Sequence, residues 1–322
     1  MGVDRPDDPD VPPDGRADHR DGQGSGGGRA ARAGGVQAET RHRQEYYADL
    51  RVAVSAEESV TAQRTAAREQ AAAEKWGETA QESRWMWAEY RRRWPPEERA
   101  PVDRSADPPG SWRGDGNRVL DRAVNGRVEA ACDRIAEREQ EKISPALRAT
   151  EGQDSDRHLI GFEHRLKGRD RIKEKVYGTI KESNRSPEQA VSLVHDTIRY
   201  TFQYREAIYT QGVRTDIERL KDQGFELDKL KNSWSGDQYK GINSQWIEPD
   251  TGQRFEVQFH TRISFEAKQL THGAYERLRT QQADSFEELV LEAFQKKVTA
   301  EVPVPPGADG IPDYPERATD AR

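Results

Sequence analysis

The stretch YKGINSQWIEPDTGQRFEVQFHT, residues 239–261, decides the fold. In steps of two, RFEVQFH sets Phe255, Val257 and Phe259 on one side and Glu256, Gln258 and His260 on the other, the period of a strand with one face in a core. YKGINSQW sets Tyr239, Gly241, Asn243 and Gln245 on one side with Ile242 and Trp246 behind them. EPDTGQ between the runs is a turn rich in residues that reverse a chain. Two adjacent strands therefore present one polar face, which carries a carboxylate, amides and an imidazole.

Outward from that hairpin, residues 158–300 alternate strand and helix signals. HLIGFEHRL reads as a strand and GRDRIKEKVYGTIKES as a helix burying Ile172, Val176 and Ile180. SPEQAVSLV opens with a Ser cap and Pro at the first helical position. DTIRYTFQY is a β-branched and aromatic strand, and TDIERLKDQG a helix closed by Gly224. FELDKLKNSW is a further strand. SFEAKQLTHGAYERLR and SFEELVLEAFQKKV are helices, the second opening as an S-x-x-E capping box. The expected fold class is α+β (mixed α/β): a mixed sheet of about five strands flanked by helices, preceded by a helical N-terminal region.

The whole chain of 322 residues is 33% hydrophobic and 34% charged, so part of it is expected to lie outside any core. Residues 1–38, made of Asp, Arg, Gly and Pro, read as a disordered tail. Residues 39–93, rich in Ala, Glu, Gln and Arg, read as a long helix or a helical hairpin broken near Gly77. Trp76, Trp85, Trp87, Tyr90 and Trp94 near its end fit packing between helices or a partner-docking surface. Residues 94–117 read as a Pro- and Gly-rich linker. Leu120, Val124, Val128, Ala131 and Ile135 mark a helix over 118–140, within a domain spanning 118–302 whose motif core is 158–280. Residues 303–322 read as a second disordered tail. The single cysteine, Cys132, excludes a disulfide framework and fits a buried helix position. No apolar run approaches the ~20 residues of a membrane span, and no secretory signal pattern opens the chain. A cytoplasmic protein that makes no membrane contact is expected, with export by a signal-less route left open. The net charge of −7 argues against wholesale nucleic-acid binding.

The candidate chemistry sits in three places. Residues 165–185 hold eight Lys or Arg against three acids. Arg165 and Lys167 lie two apart at a strand end, and so on one side, and Arg171 and Lys175 four apart on one helix face, around a helix start that favours anions. A solvated basic face is the plain alternative. Asp196 begins one strand and Glu256 lies within another. Two carboxylates from neighbouring strands suit Mg²⁺ shared with phosphate oxygens. Tyr239 fits either a base-stacking platform or cross-sheet packing. No H-E-x-x-H, C-x-x-C, Walker A or G-x-S-x-G pattern is present.

Over 158–280 these motifs, in this order, resemble the RelA/SpoT-type alarmone synthetases and their small, toxin-like relatives. HRLKGRDRIKEKV is similar to R-x-K-S-x-x-S-x-x-x-K, which implies ATP-phosphate contacts for Arg165, Lys167 and Lys175, with Arg171 on the second serine. VHDTIRYTF resembles D-x-x-G-x-R, which implies a metal-binding Asp196; its glycine and arginine fall on Arg199 and Thr201. LKNSWSGDQYKGIN resembles the loop ending in Y-R-S-L-H, which implies acceptor contacts for Tyr239, with Asn243 on the histidine and Lys231 as the candidate phosphate lysine. FEVQFHT resembles E-I-Q-I-R-T, which implies a catalytic Glu256 with Gln258 beside it and His260 on the arginine.

The resemblance implies a pyrophosphokinase that moves the β,γ-diphosphate of ATP to the ribose 3′-hydroxyl of a guanosine or adenosine nucleotide. It implies Mg²⁺ at Asp196 and Glu256, with the two nucleotides as partners. With no His-Asp pair of a hydrolase domain in 40–150, a toxin-like effector is expected, with an antitoxin or immunity protein as a candidate partner. The departures cluster at acceptor and phosphate contacts. They leave open a tRNA 3′-end as acceptor, and a catalytically inactive nucleotide-sensing or partner-binding module.

Overall fold

The structure, a computed structural model, describes residues 28–315 except 97–101, 103, 106, 154–155, 184 and 281–282. The described residues divide into two units between Arg64 and Thr65. The described part of the first unit is helical, within α1 (Gly28–Arg93). The expected tail 1–38 is corrected from Gly28 onward, because an Ala- and Arg-rich segment continues the helix; residues 1–27 lie outside the described residues. The expected break at Gly77 is absent as well. A Cβ there would meet open space, so the single glycine costs the helix only about 1 kcal/mol relative to alanine. No helix among the described residues is long and apolar enough to cross a membrane.

In the second unit β3 (Arg157–Ile160), β4 (Arg199–Tyr204), β5 (Glu226–Asn232), β6 (Ile242–Glu248) and β7 (Gln253–Thr261) form a five-stranded mixed sheet in the order β3-β4-β7-β6-β5. β4 and β7 are parallel, with Arg199 opposite Glu256, Thr201 opposite Gln258 and Gln203 opposite His260. The β6–β7 hairpin is antiparallel, with Asn243 opposite Gln258 and Gln245 opposite Glu256. One face thus collects the apolar side chains Tyr200, Phe202, Ile242, Trp246, Phe255, Val257 and Phe259, all buried. The fold class is the mixed α+β one read from the strand pattern.

The helices are α2 (Arg122–Arg138), α3 (Ser144–Glu151), α4 (Arg169–Ser183), α5 (Pro187–Ser192), α6 (Tyr209–Asp222), α7 (Arg262–Arg279) and α8 (Ser285–Ala300). A π-helical turn at Glu139–Ile143 joins α2 to α3. α4 buries Ile172 and Val176, α5 has a Ser186–Gln189 capping box, and Cys132 is buried in α2. The cap of α8 is Asp284, not Ser285: its carboxylate accepts from the backbone of Phe286 and Glu287. Near the end of α1, Trp76 donates to Glu266 at 2.6 Å, Tyr90 donates to Glu287 at 2.6 Å, and Trp87 stacks on Phe294 at 5.6 Å. These three aromatics pack against α7 and α8, while Trp85 is exposed.

Two further expectations are corrected. In the supposed linker 94–117, β1 (Trp112–Arg113) pairs with β2 (Val119–Leu120). Trp112 is buried, and its indole N–H donates to Asp170 at 2.8 Å. One aromatic anchor in a Pro- and Gly-rich stretch leaves no periodicity to read. The supposed tail after 302 is likewise bound as far as 315. Val302, Ala308 and Ile311 are buried, and Leu230 and Tyr314 exchange backbone hydrogen bonds of 2.8 and 2.9 Å along the β5 edge. The Asn232 amide donates to the carbonyls of Ala308 and Ile311, each at 2.8 Å. Polar side-chain clasps of this kind have no hydrophobic signature. Residues 316–322 lie outside the described residues.

Candidate active site

The parallel register of β4 and β7 places Arg199 beside Glu256, and the turn before β4 brings Asp196 to the same end of the sheet. Asp196 gathers three cations: Lys167 Nζ at 2.7 Å, Lys175 Nζ at 2.9 Å and Arg199 Nη2 at 3.1 Å. Burial alone raises the Asp196 carboxyl, but the hydrogen bonds from Lys167 and Lys175 outweigh it and hold it well below the ordinary carboxylate range. Burial pulls the Lys167 ammonium down, against the stabilising charge of Asp196. Lys175 comes from α4, one residue before the buried Val176, so the apolar stripe of that helix sets its reach toward the strand.

Arg199 also turns its Nε to within 3.1 Å of Glu256 Oε1, so one guanidinium links the two carboxylates. Glu256 accepts from the Gln258 amide, whose oxygen accepts in turn from Lys268 Nζ on α7. Burial and the neighbouring Arg199 bring the Lys268 ammonium down to about 8, against the pull of Glu256. Ser264 and Lys268 stand four apart on α7 and so share a helix face; that spacing is the one sequence signal for Lys268. Arg199, seen in the sequence only on a glycine position of the motif, is the second functional candidate that sequence reading misses.

The carboxylates therefore lie together, yet not as a pair facing a shared free space. Asp196 already accepts from three cations, and a guanidinium stands between it and Glu256. Among the described residues no group of three or more His, Cys, Asp or Glu side chains could hold a metal ion. In this arrangement the residues present do not fit a divalent ion bridging Asp196 and Glu256.

A second cluster adjoins the first along β6 and β7. The Tyr239 hydroxyl is 2.9 Å from Asn243 Oδ1 and 2.8 Å from His260 Nε2, and His260 Nδ1 is 2.9 Å from Ser264 Oγ. The Tyr239 ring meets His260 edge-on at 5.4 Å. Burial, reinforced by Lys268, keeps the imidazole well below its ordinary value and hence neutral; burial pushes the Tyr239 phenol well up. Gly241 makes this approach feasible: its φ is +146°, and a Cβ there would stand 2.8 Å from His260 Cε1. Lys231 lies opposite Asn243 in the β5–β6 register, exposed at the sheet end.

Three sequence readings change. The polar face of β7 is not a solvent face: Glu256 is 9% exposed, Gln258 3% and His260 0%, because β7 is central and α7 folds back over it. Arg165 is not on the side of Lys167. Its backbone is helical (φ −63°, ψ −29°) at the end of the 3-10 turn 162–164, so strand alternation does not apply. Its guanidinium instead binds the buried Glu139 at 2.7 Å and lies over the Phe162 ring. Arg171 projects outward, 76% exposed and paired with Glu174 at 3.3 Å, away from the Asp196 cluster that Lys175 joins.

No family model and no curated protein sequence matches this chain. Among solved structures it is similar to small alarmone synthetase 1 from Bacillus subtilis bound to its product pppGpp. The TM-score there is 0.37 at 14% identity, covering 55% of this chain and 90% of that one. A GTP pyrophosphokinase family protein from Streptococcus pneumoniae gives a TM-score of 0.36 at 10% identity, over 56% and 92% of the two chains. Small alarmone synthetase 2 from Bacillus subtilis gives 0.34 at 12% identity, over 55% and 92%.

Proposed function

We propose that this chain is a nucleotide pyrophosphokinase, which moves the β,γ-diphosphate of ATP to the ribose 3′-hydroxyl of a guanosine or adenosine nucleotide. The observation that carries the reading is the convergence of Lys167, Lys175 and Arg199 on Asp196, directly beside Glu256. In the transfer, the acceptor O3′ attacks the β-phosphorus of ATP. The bond from that phosphorus to the α,β-bridging oxygen breaks, and AMP leaves. Glu256 takes the hydroxyl proton, as a positioned base does. Lys167, Lys175 and Arg199 balance the charge on the transferring group. Tyr239, held at its hydroxyl by Asn243 and His260, offers its ring to the acceptor base. The setting we favour is a cytoplasmic, toxin-like effector, with an antitoxin or immunity protein as partner.

A second reading, a nucleotide-holding module without turnover, is favoured by the guanidinium between the two carboxylates. One experiment separates them. The purified protein is incubated with γ-labelled ATP and ADP, GDP, GTP or bulk tRNA, and the products are resolved. Label on a nucleoside phosphate with matching AMP release is the expected result. Label on tRNA moves the acceptor to RNA. No transfer to any acceptor overturns the enzymatic reading in favour of the holding module.

A further inference from the structure

The guanidinium of Arg199 reaches Asp196 at 3.1 Å with Nη2 and Glu256 at 3.1 Å with Nε. A cation already stands, covalently attached to the chain, where a carboxylate from the turn before β4 and one from β7 converge. We propose that Arg199 takes the place of a divalent ion in this site, so that the pocket binds the polyphosphate of a nucleotide as its metal-free anion. The inference deepens the pyrophosphokinase reading and rests on it only for the nature of the ligand.

Charge supports it. Lys167, Lys175, Arg199 and Lys268 gather around Asp196, Glu256 and the neutral Gln258. Four cations against two carboxylates leave the cluster at +2 when all are charged, the charge that one divalent ion would bring to a polyphosphate. Donor geometry supports it too. The Nε–H of Arg199 is buried and has no aligned hydrogen-bond acceptor, although Glu256 Oε1 is close. A buried donor without an acceptor is rare in a finished site, and a phosphate oxygen entering beside Glu256 supplies one. Guanidinium is the side chain whose planar fork suits phosphate oxygens, and it stays charged at any working pH. A divalent ion, by contrast, would need oxygens that Asp196 has already given to Lys167, Lys175 and Arg199.

The test uses the full chain, chelator-treated, with inorganic tripolyphosphate as probe and Mn²⁺ as reporter of a divalent site. Calorimetry is run in EDTA and in excess Mg²⁺, and free Mn²⁺ is read by electron paramagnetic resonance. Tripolyphosphate is expected to bind in EDTA, at least as tightly as with Mg²⁺, while the protein alone takes up no Mn²⁺. Arg199→Gly should weaken tripolyphosphate in EDTA by about 10- to 100-fold, the loss typical of a charge-assisted hydrogen bond. It should also create Mn²⁺ binding that the added change Asp196→Asn removes. Should Arg199→Gly fail to fold, Arg199→Gln, uncharged and reaching only as far as the position of Nε, is read for the same loss of tripolyphosphate. Stoichiometric Mn²⁺ uptake by the parent, lost in Asp196→Asn, overturns the inference. So does tripolyphosphate binding only with Mg²⁺, or not at all. None of these measurements needs turnover. Metal-free binding in a protein that transfers no diphosphate therefore sinks the proposed reaction alone.

Discussion

The hydroxyl of Tyr239 and Nε2 of His260, 2.8 Å apart, couple a half-buried loop residue to a ring with no exposed surface. The phenol has one proton, and Asn243 Oδ1 accepts it at 2.9 Å. With the imidazole neutral, one ring nitrogen donates and the other accepts, Nε2 facing the phenol and Nδ1 facing the Ser264 hydroxyl. Loop, strand and α7 are thereby fixed to one another by a single file of hydrogen bonds.

Tyr239→Ala and Tyr239→Phe are expected to separate two roles. The alanine variant should raise acceptor KM by an amount corresponding to about 1–3 kcal/mol, the worth of stacking a base on an aromatic ring, and leave ATP binding little changed. The phenylalanine variant keeps the ring, so acceptor KM should stay near the parent while stability falls by about 1–3 kcal/mol, because His260 loses a buried partner. Titration of both variants with ATP and acceptor, beside melting curves, checks this. Loss of ATP affinity with unchanged acceptor KM would place Tyr239 on the donor side.

Gly241→Ala should be costly although only a methyl is added. The backbone is left-handed at φ +146°, and the new Cβ would press on His260 Cε1 and on the Phe259 carbonyl. A loss of about 1–3 kcal/mol is expected from the strained backbone alone, seen as a lower denaturation midpoint with an unchanged slope. A neutral result would mean that the 233–241 loop does not hold this conformation.

Glu256→Gln should lower diphosphate transfer by about 10²–10⁴-fold, the range of general-base assistance. Since Glu256 is buried against Arg199 and Gln258, the variant should also melt below the parent rather than with it. Retention of more than about a tenth of the parental rate is less loss than base catalysis allows and would remove Glu256 from the mechanism.

Glu248 gives a pH signature independent of the site. It is buried and accepts from Arg138 and Lys142, each at 2.8 Å, and from Thr251 at 2.6 Å. Burial raises its carboxyl, but Lys142, Thr251 and Arg138 bring it from 4.5 down to about 2. A depressed carboxylate stabilises the fold above its unfolded value and loses that contribution as pH falls through the folded one. The parent should therefore lose up to about 3 kcal/mol between pH 5 and 2 through this group. Glu248→Gln should show a lower midpoint at pH 7 and a shallower acid limb. Parallel acid limbs for the two proteins would refute the assignment.

How far the sequence carries can be judged residue by residue. The alternation of Phe255, Val257 and Phe259 locates β7, and the turn EPDTGQ locates its hairpin with β6, because both signals are local. Helix α4 is legible from Ile172 and Val176 for the same reason. The burial of Glu256 and His260 is not, since it depends on α7 returning over the sheet. Arg165 was open to misreading because a 3-10 turn precedes it, and two-residue spacing carries no side information in helical backbone. Arg199 and Lys268 lie 69 positions apart in the numbering and meet beside Glu256 only through the parallel register and the helix return. Trp112 and the segment after 302 show the complementary case, in which one buried aromatic or one amide clasp orders a stretch whose composition reads as linker.

The bond pair between Leu230 and Tyr314 also has a consequence for the making of the chain. A sheet edge with unpaired N–H and C=O groups is a template for another strand, and natural folds keep such edges covered. β5 leaves the ribosome well before the segment that pairs with its edge at Leu230, so every nascent copy passes through an interval with that part of the template bare. Chains stopped in the interval, by stalling or by a nonsense codon before Tyr314, keep it bare for good. Aggregates of this protein should therefore be enriched in prematurely ended chains, with the full-length product left in solution.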